Sequence, residues 1–312
     1  MAQQHLKWRE QYHSRRYMEF LDEEGLRQRA KDIFANLLEL TKESKIGLLT
    51  SPFERNMWLR IWTHVLEEFK IRYGDYPAGF KGGWFRDVHY PNPKLPLAKS
   101  AAYAVKCTGL PPGDHLFKYG KACHLEGVIN DGFLRVAPAS FYDDPSLGFA
   151  IRDSEMRANI SLYPRDFKIK AFDGKTRKFK GEIPASEINC EWVAPTNYFV
   201  SCFSLSLLPR LFIDFEADSC LIINNTDAFA SALDKGTHDQ LSGWTFHYGL
   251  VEYYDPLNYP LPQLDVYMSK NFRYAYQREF RFLWLPESPM QTLDPIFVNI
   301  PCIKENCYLL KI

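Results

Sequence analysis

The sequence predicts an α+β fold: a helical N-terminal region over residues 1–105, followed by a mixed, mainly antiparallel α+β domain over residues 106–312. Three observations carry that reading. Long apolar stripes of helical period fall in the first hundred or so residues. After the turn Pro111-Pro112-Gly113-Asp114, short apolar segments of strand length outnumber helices. The links between those segments are too short for the repeated helical crossovers that a parallel sheet needs.

From about residue 22, Leu26, Ala30, Ile33, Phe34, Leu37 and Leu38 share one helical face, and the pattern fades near Ser44. A second helix starts at Ser51, its N-cap, with Pro52 at the first helical position and Glu54 completing a capping box. Its apolar stripe is Phe53, Met57, Trp58, Ile61, Trp62, Val65, Leu66 and Phe69, expected to face the core, and Gly74 offers a stop. Residues 75–98, with Gly79, Gly82, Gly83, Pro91, Pro93 and Pro96, read as an extended connector. Its glycines lack the Gly-Lys-Ser/Thr ending that would place a lysine and a hydroxyl on phosphates. A short helix over Ala101 to Val105 completes this region.

Beyond the turn, strands are expected at Leu116 to Tyr119, Phe133 to Ala137, Ile160 to Tyr163, Phe167 to Ala171, Tyr198 to Ser204, Ser219 to Asn224, Phe246 to Tyr253 and Glu279 to Trp284. A helix over Cys123 to Asn130 ends at Gly132. Asp173-Gly174 is a hairpin turn dipeptide, bracketed by Lys168, Lys170, Lys175, Arg177, Lys178 and Lys180. Such a ribbon suits phosphate contacts, but the preferred reading is a solvated hairpin whose lysines prevent edge pairing.

Composition narrows the function classes. Thirty-eight basic and 38 acidic side chains cancel, so net charge points to neither a polyanion nor a membrane surface. A hydrophobic share of 46% excludes a largely disordered chain, and the aromatic share of 15% suits a large core or a stacking pocket. The seven cysteines form no CxxC pair or disulfide framework, so reduced thiols are expected. With no signal-like leader and no apolar run of membrane-spanning length, a cytoplasmic protein without a membrane partner is expected.

A resemblance extends over about residues 115–310. Phe117-Lys118-Tyr119, the helix ending Asn130-Asp131-Gly132, Leu134-Arg135-Val136 and Ala139-Ser140-Phe141-Tyr142-Asp143-Asp144-Pro145 follow one another in order. Tyr198 to Ser204 and Tyr274-Ala275-Tyr276-Gln277-Arg278-Glu279-Phe280-Arg281 come later. Together these resemble an uncharacterised bacterial domain family with the pattern "KY…SFNDP…CFS…EkEwR". The family's Asn-Asp-Pro stands here as Asp143-Asp144-Pro145, and no acidic residue follows at Ser146-Leu147. The order of these motifs is in turn similar to that of ADP-ribosyltransferases, whose late strand carries Gln/Glu-x-Glu.

That similarity implies a split sheet clamping NAD as substrate and modification of a macromolecular acceptor, protein or nucleic acid, in the manner of toxins and phage-defence effectors. It makes Glu279 the catalytic carboxylate and Gln277 a helper that orients the acceptor. Lys118 and Tyr119 would hold the dinucleotide, Ser201 and Ser204 would brace Glu279, and Ser140, Phe141 and Tyr142 would line the nicotinamide site. The N-terminal helices are a candidate surface for an antitoxin or regulatory partner. The alternative for Glu279 is a strand carboxylate paired with Arg278 or Arg281. Two other functions compete. Asp143, Asp144, Asp153 and Glu155 would hold Mg²⁺ in a nuclease, and an aromatic-rich pocket would serve a binding module without catalysis. No metal site is expected in the preferred reading: His115, His124 and Cys123 lack zinc spacing, and Cys302 and Cys307 are too far apart for CxxC. His247 reads as an inert histidine in a core strand.

Overall fold

The computed structural model describes residues 2–74, 92–111, 113–258, 264–300 and 303–312. Most of the expected connector, with Gly79, Gly82, Gly83 and Pro91, lies outside the described residues, as does Cys302. Helix α1 (Ala2–Ser14) buries Trp8 and Tyr12 alone, which is why no stripe announces it. Helix α2 (Glu23–Leu37) is capped by Asp22, which accepts from Gly25 N at 2.7 Å. It ends before the expected limit because β1 (Leu38–Leu40) turns back and pairs with β2 (Ile46–Leu48).

Helix α3 (Pro52–Tyr73) has the expected cap, with Glu54 N donating to Ser51 Oγ, and Gly74 stops it at φ 80°. Its stripe departs from expectation at the first turn. Phe53 is 81% exposed and Met57 is exposed too, whereas Trp58, Trp62, Val65 and Phe69 are buried with Tyr12, Leu26, Ile33, Tyr163, Leu257 and Phe272. The N-terminal helices therefore close their core with residues from far along the chain. Helix α4 (Pro96–Cys107) packs elsewhere, seating Ala101 and Val105 against Phe117, Phe212 and Ile222.

The remaining elements are β3 (Leu116–Gly120), α5 (Ala122–Asp131), β4 (Phe133–Pro138), β5 (Arg157–Leu162), β6 (Ile169–Phe172), β7 (Phe179–Ile183), β8 (Ile188–Val193) and β9 (Phe199–Ser204). There follow α6 (Pro209–Asp214), β10 (Ser219–Ile223), α7 (Thr226–Thr237), β11 (Trp244–Leu250), β12 (Glu252–Tyr254), β13 (Ser269–Asn271), β14 (Glu279–Pro286), β15 (Ile296–Asn299), α8 (Ile303–Asn306) and β16 (Cys307–Lys311). The fold is thus α+β and mainly antiparallel; β12 with β13 is the parallel pair among the described strands. The central sheet runs β11-β14-β9-β3-β10-β16, with β4 and β15 attached to the side.

One feature of that sheet positions the site. Strand β9 is paired with β14 along its whole length, Phe199↔Trp284 to Ser204↔Glu279. On its other edge it meets β4 only at Phe199 and Val200, and β3 only at Ser204. The sheet forks there, leaving residues 201–203 without a strand partner on that edge. Side chains alternate across β9 and β14. Phe199, Phe203, Phe280, Phe282 and Trp284 join the core under α5 and α7, which leaves Cys202, Ser204, Glu279 and Arg281 on the opposite face. Among the described residues no helix is long and apolar enough to cross a membrane, and the six described cysteines are free thiols.

Candidate functional site

At the fork lies a cavity of about 270 Å³. Its walls include Lys118, Tyr119, Tyr142, Ser204, Gln277 and Glu279, six of the nine residues expected at the site, together with Cys202 and Phe203. Lys118 fills part of the gap. Its Nζ donates to the Cys202 carbonyl and to Ser201 Oγ, each at 3.2 Å, and stands 4.6 Å from the centre of the Phe203 ring. A buried backbone carbonyl without a ladder partner is costly, and this amine satisfies it. Burial pushes the Lys118 pKa down, since the charged amine has lost its water.

Glu279 opens strand β14, immediately after Arg278 adopts a left-handed φ of 47°. Gln277 lies before that bend in a 3₁₀ turn, so the two are not alternate residues of one strand as the Gln-x-Glu pattern implied. The Gln277 amide donates to Ala150 O at 2.7 Å. Glu279 is 4% exposed, and its bracing differs from expectation. Ser204 Oγ donates to Gln277 O at 2.7 Å, and Ser201 receives Lys118; neither is the group that holds Glu279. Instead Arg281 Nε donates to Glu279 Oε1 at 2.5 Å and Lys270 Nζ donates to Glu279 Oε2 at 2.8 Å. The pairing with Arg281 is one form of the alternative read from sequence, although it is buried rather than at an exposed edge. Arg278 turns away to Glu54 at 2.8 Å.

The cluster extends to a second carboxylate. Glu155 receives Lys270 at 3.3 Å and forms an ion pair with Arg281, while Asp153 stands 3.8 Å from Lys270. Burial disfavours ionising Glu279, but Arg281 and Lys270 outweigh it and hold its pKa down to about 2. For Glu155 burial wins, helped by repulsion from Glu279, and its pKa is pushed up. Adjacent carboxyls with affinities driven apart are a pattern of functional sites, although structural networks also produce it.

Other expected residues stand elsewhere. Ser140 exchanges hydrogen bonds with Asn197, at 2.9 and 3.3 Å, and Phe141 lies under the Arg135 guanidinium at 4.8 Å; neither lines the cavity. Only Tyr142 of that segment reaches it, because its one-residue steps turn within a 3₁₀ helix. The nuclease cluster does not assemble. Asp144 accepts from Ser146 N in a local turn, while Asp153 and Glu155 face Lys270. Glu155, Cys202 and Glu279 do bring ligand atoms within 4.8 Å of one another. Both carboxylates already hold cations, and burial keeps the Cys202 thiol protonated, so the donor set suits ion pairing better than a metal. His247 is exposed on β11, the sheet edge, rather than in a core strand.

Lys270 escaped the sequence reading because a single lysine in the polar segment Ser269–Asn271 carries no pattern. A larger cleft, about 960 Å³, lies beside Asp114, His115, Asn225, Asp227 and Arg278. It gathers no comparable set of buried charges, so we assign the chemistry to the smaller cavity. Neither a family model, a curated protein nor a solved structure matches this chain.

Proposed function

We propose that the protein is an ADP-ribosyltransferase-like enzyme that cleaves NAD and modifies a macromolecule as a toxin or defence effector. The observation that carries this is the convergence of Lys118, Tyr119, Tyr142, Gln277 and Glu279 on one cavity at a fork in the sheet. About 270 Å³ suits the nicotinamide and its ribose rather than the whole dinucleotide, being at the small end of ligand pockets. Tyr142 offers a ring to the nicotinamide. Among the described residues Lys118 has no carboxylate bonded to it, and it offers its charge to a phosphate.

In the reaction the ribose–nicotinamide bond breaks, its electron pair leaving with nicotinamide, and positive charge grows on the ribose. Glu279 is ionised and preoriented to stabilise that charge. Its contacts with Lys270 and Arg281 leave room for a ribose hydroxyl, since a carboxylate accepts about four hydrogen bonds. The acceptor nucleophile, or water, then bonds to the ribose carbon and releases its proton.

Labelled NAD incubated with the protein and cell extract tests this reading. Glu279→Gln is expected to reduce nicotinamide release by roughly 10²–10³, the scale for removing one electrostatic stabiliser. A wild-type protein that releases no nicotinamide overturns it. A variant that releases nicotinamide as fast as an active wild type removes Glu279 from the catalytic role.

A further inference from the structure

The hairpin of β6 and β7 has no part in that chemistry. It forms a two-stranded sheet of its own, and its apolar side chains join none of the hydrophobic clusters among the described residues. Phe172 and Phe179 are 56% and 57% exposed, and their rings meet edge to face at 5.8 Å. Residues 167–183 carry six cations against two anions, within a chain of no net charge. Lys168 pairs with Glu182 and Lys180 with Asp173; Lys170, Lys175, Arg177 and Lys178 make no ion pair among the described residues.

The placement of these groups matters more than their number. The pairing runs Lys170↔Glu182 and Ala171↔Gly181, then Phe172↔Phe179, so the extra residue is Lys180 on β7. Strand β6 alternates without interruption, which puts Lys170 and Phe172 on one face, with Glu182 opposite Lys170 and Phe179 opposite Phe172; Lys168, just before the strand, reaches the same Glu182. We propose that this face binds single-stranded nucleic acid, with Phe172 and Phe179 stacking on bases and the surrounding lysines holding phosphates. A ribbon whose lysines served only to block edge pairing has no use for two half-exposed phenylalanines. An element that lies on a membrane segregates its apolar and cationic side chains. Here apolar side chains stand on both faces, Ile169 opposite Ile183 on one and Phe172 opposite Phe179 on the other, and the phenylalanines share theirs with Lys170, as suits a strand that offers stackable bases and phosphates in alternation.

The inference stands apart from NAD chemistry and is tested by binding alone. The full chain is titrated onto a fluorescein-labelled oligothymidylate, and anisotropy is followed over a range of salt. Wild type is expected to bind, with log K falling against log salt by about 0.7 for each phosphate neutralised. Phe172→Ser with Phe179→Ser is expected to weaken binding on the order of ten-fold or more, and Phe172→Tyr with Phe179→Tyr to restore it. Lys168→Gln with Lys170→Gln should flatten the salt slope by about 0.7 per lysine removed. Failure of wild type to bind at low salt overturns the proposal, as do serine or glutamine variants that bind as wild type. So does capture by phosphatidylserine vesicles without any binding of the oligonucleotide.

Discussion

Two buried glutamates, Glu68 and Glu279, are each held by two cations, yet they belong to different kinds of place. Glu68 is fully enclosed: Arg16 and Arg72 donate to it at 2.8 and 2.5 Å, and Tyr12 Oη donates at 2.5 Å. It ties α1 to α3. Glu279 has Arg281 and Lys270 in the same roles, but it faces a cavity, and the same cations serve a second carboxylate, Glu155. For both, burial alone would raise the carboxyl pKa, and the paired cations reverse it. A depressed pKa by itself therefore does not separate a structural clasp from a candidate active site. The adjoining void and the shared counter-charges do.

The comparison can be broken most directly at Glu68. Glu68→Ala leaves Tyr12 without its carboxylate acceptor and strips the buried counter-charge from Arg16 and Arg72, which keep, among the described residues, only Glu19 and backbone carbonyls; an expected loss of about 3 kcal/mol follows from breaking a buried pair. Urea unfolding measures it. Glu279→Gln should cost less, about 1–2 kcal/mol, because Glu155 remains as a partner for both cations. If the two substitutions cost the same, the redundancy inferred for the Glu279 cluster is wrong.

Acid sharpens the contrast further. Glu279 has a folded pKa of about 2, below its unfolded value of about 4.3. The unfolded chain takes up the proton first, so the stability this group contributes is present above about pH 5 and is lost as pH falls toward 2. Glu155 has the opposite sign: its raised folded pKa makes its ionisation a cost that acid relieves. Unfolding free energies followed from pH 6 to pH 2, a window set by these shifts, should fall less steeply in Glu279→Gln than in wild type. The smallest effect is expected at the mispredicted end of α3. Phe53→Ser, at a side chain 81% exposed, should change stability by no more than about 0.5 kcal/mol, and a larger thermal shift would mean that this face is covered.

The legibility of fold and site followed the range of the interactions. Ser51, Pro52 and Gly74 mark α3 because caps and stops act within one turn of helix, whereas the Glu54 carboxylate, expected to complete a capping box, pairs with Arg278. The strands around Lys118, Tyr198 to Ser204 and Glu279 could be read for the same reason, since alternation is local. Helix α1 was not legible, because its two buried aromatics are anchored by α3 rather than by a stripe of its own. Phe53 misled because helical period alone does not tell which end of a stripe meets a neighbour.

At the site, residue types in order were enough to nominate Glu279, Gln277, Lys118, Tyr119, Tyr142 and Ser204, which line one cavity. Their hydrogen-bond partners were another matter. Lys270 reaches Glu279 because β13 pairs with β12, whose start is tied to Glu279 through Val251 N, and Arg281 lies two residues along the same strand face. By itself the sequence determined the α+β class, the cap and stop of α3, half of the strands and six of the cavity's lining residues, all consequences of short-range periodicity and backbone preference. Tertiary structure alone decided which charges meet, where the sheet forks and which phenylalanines stay in water, because burial and Coulomb energy depend on distances between segments far apart in the chain.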